Sequence, residues 1–227
     1  MSDAARNNHI IKRGIFIMAT LQDVADIVIA GKAKKTPGVV QEALDAGLAP
    51  KDILNTMIDA MSVVGERFSK NEIFVPEMLV AAKAMKKGVE VLKPLLSDGG
   101  VGSMGKMIMG TVAGDLHDIG KNLVIMMIES AGFEVIDLGV DVPIERFLSA
   151  YDENPDTKII GCSALLTTTM PALEETVAAI NQQPWRDKVK VMVGGAPITQ
   201  EFADRIGADA YTEDAASAAQ KAKELVS

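Results

Sequence analysis

The spacing of apolar residues changes period once along this chain, and the change coincides with a run of glycines. From Leu21 to Leu96 hydrophobic side chains recur every three or four positions: Val24, Ile27 and Val28; Val39, Val40, Ala43 and Leu44; Ile53, Leu54, Met57, Ile58, Met61 and Val64; Met78, Leu79, Ala82, Met85 and Val89. That period is helical and predicts four helices. Breaks at Gly31 to Pro37, Gly47 to Pro50 and Asn71 to Pro76 separate them, and Pro50 and Pro76 suit first-turn positions. Four such helices with short connections are expected to pack as a small antiparallel bundle.

Beyond Ser97-Asp98-Gly99-Gly100-Val101-Gly102-Ser103 the pattern becomes short β-prone runs alternating with helical ones. Strands are predicted at Lys106 to Val112, Glu134 to Leu138, Lys158 to Cys162, Val189 to Val193 and near Ala210-Tyr211. Helices are predicted between and after them, at Ile119 to Ala131, Pro143 to Tyr151, Pro171 to Asn181, Thr199 to Ile206 and Asp214 to Leu225. The fold class is therefore α plus α/β: a four-helix bundle followed by a flavodoxin-like, Rossmann-type domain with five parallel strands in the order 2-1-3-4-5. The expected divisions are an extension at 1–17, a helical domain at 18–98, a linker at 99–104 and the α/β domain at 105–227. Met18 looks more like a natural start than Met1, so the extension is expected to be disordered or non-native, with His9 idle in it.

Charge and residue counts exclude several functions. Lys plus Arg number 23 against 31 Asp plus Glu, and the net charge of −8 argues against nucleic acid and anionic membranes as partners. Ile15 to Met18 is too short for a signal core or a membrane span. One cysteine and two histidines cannot build a disulfide framework or a Cys/His zinc cluster within one chain, so a reducing cytoplasm is the expected location.

In a sheet of this order ligands bind beyond the carboxyl ends of the strands where the order reverses, which selects the loops after strands one, three and four. The first reads Gly114-Asp115-Leu116-His117-Asp118-Ile119-Gly120 and sets a histidine two residues after an aspartate. Two carboxylates make it a poor phosphate site, and its glycines match neither a P-loop nor a dinucleotide fingerprint. An exposed histidine beside an acid suits general-base catalysis or metal ligation through one ring nitrogen while the acid holds the other. The second loop, Cys162-Ser163-Ala164-Leu165-Leu166-Thr167-Thr168-Thr169, offers hydroxyls that could extend a His-Asp chain. The third, Val193-Gly194-Gly195-Ala196-Pro197, leaves room for a flat or extended ligand.

Taken together, Asp115-Leu116-His117-Asp118-Ile119-Gly120, Ser163-Ala164-Leu165 and Gly194-Gly195 resemble the Asp-x-His-x-x-Gly, Ser-x-Leu and Gly-Gly signature of cobalamin-binding domains in corrinoid methyltransferase systems. Val64-Gly65-Glu66-Arg67-Phe68 and Asn71 through Met78 are similar to the helical cap that precedes that domain in methionine synthase and in small methylotrophic corrinoid proteins. The resemblance covers roughly Met18 to Ser227. It implies a cobalamin or related corrinoid held base-off, with His117 as the cobalt ligand, Asp115 holding the other imidazole nitrogen and Thr169 as the hydroxyl where methionine synthase has serine. Leu116, Asp118, Ile119, Gly120, Ser163, Leu165, Thr167, Gly194 and Gly195 would contact the cofactor, and Phe68 and Val75 would cover its reactive face. Tyr211 and Asp214 stand where they could approach its tail.

The function so implied is that of a methyl carrier. A substrate-specific methyltransferase would load Co(I) from a methylated amine, methanol, betaine or methoxyaromatic donor, forming methylcobalamin during turnover. A second methyltransferase would unload it to tetrahydrofolate or coenzyme M, a reductive activase would rescue oxidised cobalt, and the Gly99 to Gly102 segment would be the hinge. The alternative is a cobalamin-binding regulatory or sensor module, which generally carries a basic DNA-reading domain for which there is no room before Met18. A phosphate receiver would need an aspartate where Cys162-Ser163 stand, a flavodoxin would need a hydroxyl-rich first loop, and an isomerase subunit fits the cap less well.

Overall fold

The computed structural model describes residues 19–96 and 104–227. The expectations for the 1–17 extension and for the glycines at 99–102 lie outside the described residues. The helical region consists of α1 (Leu21–Ile29), α2 (Thr36–Asp45), α3 (Pro50–Ser69) and α4 (Val75–Leu92). Thr20 starts α1 through a reciprocal cap: its hydroxyl accepts from the Asp23 N–H, and the Asp23 carboxylate accepts from the Thr20 N–H. Pro50 and Pro76 occupy first turns, where a missing N–H costs nothing. The faces predicted by the helical period are the buried ones, with Val24, Val28, Ile53, Met57, Met61, Val64, Met78 and Met85 in the core.

The second region alternates strand and helix: β1 (Gly105–Thr111), α5 (Ile119–Ser130), β2 (Phe133–Asp137), α6 (Ile144–Glu153), β3 (Thr157–Ser163), α7 (Met170–Asn181), β4 (Lys190–Gly194), α8 (Gln200–Ile206), β5 (Ala210–Tyr211) and α9 (Ala215–Val226). All strand pairs are parallel and the order is β2-β1-β3-β4-β5, so the reversal falls at β1 and β3 as predicted. Element ends differ from the sequence expectation by a residue or two, within the ordinary fraying of helix and strand termini.

Alternation along the strands divides the core. Ile108, Ile160, Cys162, Val191 and Val193 face α6, α7 and α8, where Phe147, Leu173, Val177 and Phe202 meet them. Met107, Met109, Ile159 and Met192 face the other way, into a cluster that holds Met127 and Ile128 of α5, the alanines of α9 and the apolar faces of α3 and α4. The bundle therefore shares its core with one side of the sheet, each fully buried Met or Ile contributing roughly 1.5–3 kcal/mol. The helices meet where Gly65 faces Ala216: a Cβ at position 65 would stand 3.5 Å from that of Ala216, in ordinary contact. This docking brings the end of α3, with Phe68, to the carboxyl ends of the strands. No helix among the described residues is long and apolar enough to cross a membrane.

Candidate functional site

A turn closed by Gly114 (φ +80°) leads from β1 to Asp115, whose side chain is fully buried at the strand ends. Oδ1 accepts from the His117 backbone N–H at 3.1 Å and pairs with His117 Nδ1 at 2.7 Å. Oδ2 accepts from the Leu165 N–H at 2.7 Å and from the Thr169 hydroxyl at 2.8 Å. The Thr169 proton also faces the Leu166 carbonyl at 2.9 Å, but a carboxylate is the stronger acceptor. Burial alone would raise the Asp115 pKa; the Leu165 amide, the Thr169 hydroxyl and His117 outweigh it and hold the carboxyl well below its ordinary range. Asp115 is thus a carboxylate, which places the Nδ1 proton of His117 between them and makes Nε2 the ring nitrogen turned away from the acid.

The His117 backbone is tied as well. Thr111, buried at the end of β1, donates its hydroxyl to the His117 carbonyl at 2.9 Å, and its oxygen lies 2.9 Å from Ser163 Oγ. Since the Thr111 proton is used, Ser163 is the donor of that second bond. The imidazole is about half exposed (48%), and large apolar side chains stand bare around it: Leu116 at 72%, Ile119 at 84%, and Leu165 and Leu166 at 41% each. Exposed apolar groups gathered round an oriented histidine mark a ligand surface.

A cavity of about 520 Å³ opens beside the ring. It runs between the sheet face carrying Met107, Met109, Gly161 and Met192 and the helices α5 and α9, and His117, Ser163, Leu165, Gly194, Gly195 and Phe68 line it. Leu116, Asp118, Ile119, Gly120 and Asp214 line it too, while Asp115 and Thr169 lie buried behind its wall. Tyr211, Thr167 and Val75 are not among the lining residues. Gly195 (φ +131°) has no room for a side chain, because a Cβ would overlap the Ala164 carbonyl oxygen; the Ala164 N–H in turn donates to Gly194 O at 3.2 Å. Cys162 packs on the opposite face of the sheet, and burial pushes its thiol up to about 12. A second cavity, about 690 Å³, lies between α3, α5 and α9, but it has no histidine and its glutamates are exposed.

Four residues that sequence reasoning passed over support this site. Thr111 was hidden as one more β-prone residue of a strand. Lys121, almost fully buried, donates to Asp137 Oδ1 at 2.6 Å and to Asn122 Oδ1 at 3.0 Å, joining α5 to the end of β2. Asp137 also accepts from the Gly139 N–H at 2.9 Å. Asp141 reaches the first loop from the β2–α6 connection, which the switch-point rule does not select.

Comparison with known proteins adds a family. Models described as B12 binding domain match residues 105–220 and 20–93. The chain is 47% identical to the dimethylamine corrinoid protein of Methanosarcina barkeri over 91% of its length and 97% of the relative's. The chain belongs to the B12-binding corrinoid protein family. Among solved structures, this family member is similar to a cobalamin-binding protein from Desulfitobacterium hafniense DCB-2, with a TM-score of 0.78 and 31% identity over 92% of this chain and 99% of that one. It is likewise similar to the methanol:cobalamin methyltransferase complex MtaBC from Methanosarcina barkeri, with a TM-score of 0.78 and 29% identity over 91% of this chain and 79% of that one. A helical region followed by a five-stranded parallel sheet is the architecture shared with these neighbours.

The residues present fit a corrinoid. They offer one imidazole nitrogen whose partner nitrogen is already held by a buried carboxylate, an apolar rim, and a cavity of a size that takes an aromatic heterocycle with its linker.

Proposed function

We propose that the protein is the corrinoid-carrying subunit of a methyltransferase system, with His117 Nε2 as the lower ligand of a base-off corrinoid. The observation that carries this reading is the Thr169–Asp115–His117 chain at the mouth of the cavity. When bound, the corrinoid supplies a cobalt centre able to accept and surrender a methyl group. His117 would offer Nε2 in a fixed direction; Asp115 holds the Nδ1 proton; Thr169 and the Leu165 amide keep Asp115 ionised. Gly194 and Gly195 allow backbone approach along the cavity, with Ser163 and Leu165 on its β3 side. Leu116, Asp118, Ile119 and Gly120 would flank the ligand on the α5 side, and Phe68 with Val75 would shield the reactive side from water.

Similarity to the dimethylamine corrinoid protein supports a methylated amine as donor, delivered by a substrate-specific methyltransferase. A second methyltransferase passing the group to tetrahydrofolate or coenzyme M, and a reductive activase, complete the proposed system. The helical region, residues 18–98, would act as the cap and residues 105–227 as the cobalamin-binding domain. Reconstitution with hydroxocobalamin tests the reading: stoichiometric binding, and EPR of the Co(II) state showing a protein nitrogen that disappears in His117→Ala, are expected. Failure to bind, or ligation by the cofactor's own base in both proteins, would overturn it.

A further inference from the structure

Asp141 holds a left-handed backbone conformation (φ +52°), one that residues other than glycine seldom adopt unless their surroundings fix it. What it gains is visible. The β2–α6 connection runs alongside the end of β1 as an extra stretch of parallel pairing: Leu138 N–H to Met109 O at 2.8 Å, Thr111 N–H to Gly139 O at 3.0 Å and Val142 N–H to Thr111 O at 2.9 Å. At its tip Asp141 departs from the ladder and takes hold of the loop after β1 at two points. Its N–H donates to the Asp115 carbonyl at 2.9 Å, and its Oδ1 accepts from the Gly114 N–H at 2.7 Å. The Gly114–Asp115 pair is therefore held at both ends, at the N–H that enters it and the carbonyl that leaves it, by a segment that belongs to neither of the loops carrying the Asp115 partners.

We infer that Asp141 is a positioning residue for the His117 ligand, acting through the backbone of Asp115. The inference rests on the ligand role of His117 proposed above. Asp115 Oδ1 can meet His117 Nδ1 while Oδ2 meets Leu165 and Thr169 only if the Asp115 Cα is held in place and direction, because its short side chain has two torsions with which to satisfy four donors. In the left-handed conformation one residue presents its N–H to the Asp115 carbonyl and its carboxylate to the Gly114 N–H. Lys121 and Asp137 anchor the other end of this connection, since Asp137 Oδ1 accepts from both Lys121 and the Gly139 N–H.

Two substitutions separate the grip from the backbone shape. Asp141→Asn keeps an acceptor oxygen and tolerates the left-handed conformation; Asp141→Gly keeps the conformation and the N–H but removes the acceptor. In apoprotein, Asp141→Gly is expected to speed hydrogen exchange of the Gly114 amide by about tenfold and to broaden the His117 Nδ1–H resonance, with Thr111 amide protection unchanged. In the hydroxocobalamin-loaded protein, the same variant should bind about fivefold more weakly and show a reduced protein-nitrogen splitting in Co(II) EPR, whereas Asp141→Asn should match wild type in every readout. Wild-type exchange, ring resonance and nitrogen splitting in Asp141→Gly would overturn the inference. If the wild-type protein itself shows no protein nitrogen on cobalt, the ligand role of His117 fails, and the two apoprotein readouts still decide whether Asp141 positions the ring.

Discussion

The strand-end rim and the helical face opposite it are built on different physics. At the rim a fully buried carboxylate receives four donors, and each loop it touches is tied by bonds of defined direction. On the helical side Phe68, half-buried at the end of α3, lines the cavity, and exposed apolar side chains stand at the start of α4: Phe74 at 65% exposure, Val75 at 40% and Leu79 at 37%. Hydrogen bonds to a buried charge fail when an atom moves by an ångström, whereas apolar contact tolerates sliding and separation. The contrast teaches that the rim is preorganised by bonds of fixed direction, while the helical region is joined to the sheet domain mainly by the apolar core they share, with the Lys223 ammonium donating to Ser62 Oγ across the junction.

Removing Asp115 should break the contrast most severely. Asp115→Ala strands the Leu165 N–H and the Thr169 hydroxyl and is expected to cost about 3 kcal/mol in urea unfolding, as well as abolishing ordered His117. A loss below about 1 kcal/mol would mean that the rim is no more directional than the helical side. The sign of the pH dependence follows: a carboxyl held below its ordinary 3.8 adds stability that is complete above that value and disappears as pH falls beneath it. The stability gap between wild type and Asp115→Asn should therefore be constant from neutral pH down to about 5 and narrow below about 4. A gap that widened on acidification would contradict the ionised state.

Gly195→Ala comes next, at about 2 kcal/mol, because the added carbon meets a backbone oxygen that has no rotamer to escape into. Thr169→Ala should cost about 1 kcal/mol and Thr169→Ser almost nothing, since the hydroxyl alone serves Asp115. Matched losses in the two Thr169 variants would show that the methyl group, not the bond, is what matters. At the small end, Phe74→Ala should leave stability within about 0.5 kcal/mol while exposing loaded cofactor to faster oxidation, a prediction checked by thermal melts alongside absorption decay in air. Cys162, with its thiol pushed up to about 12 by burial, should resist alkylation in the native protein and react only on unfolding.

Much of the fold was legible because periodicity reports which face of an element is buried. The helical period through α3 and α4 and the alternation along β1 and β3 locate their elements to within a residue or two, and the 2-1-3-4-5 order followed from five strand-helix units. Of the site, Asp115, His117 and the glycines at 194 and 195 were visible as a local pattern at a switch point, and Thr169 through the resemblance. Thr111, Lys121, Asp137 and Asp141 were not: each has its partner on another segment, and nothing in its immediate neighbours records that partner. Phe68 and Val75 matched the same family pattern, yet the fold places Phe68 on the cavity wall and leaves Val75 outside it, since the docking of the bundle on the sheet, and no local pattern, sets which turn faces the strands.

By itself the sequence determined the elements, their order and the loop on which the chemistry would be found, because hydrophobic spacing and glycine placement act over one or two turns of chain. Only the tertiary structure decided that Asp115 is buried and ionised, that Leu165 and Thr169 some fifty residues away complete its shell, and that the β2–α6 connection holds the Gly114 N–H and the Asp115 carbonyl. Those facts depend on the distances between strands that the sheet brings side by side, and hydrogen bonding is decided by distance in space, not along the chain.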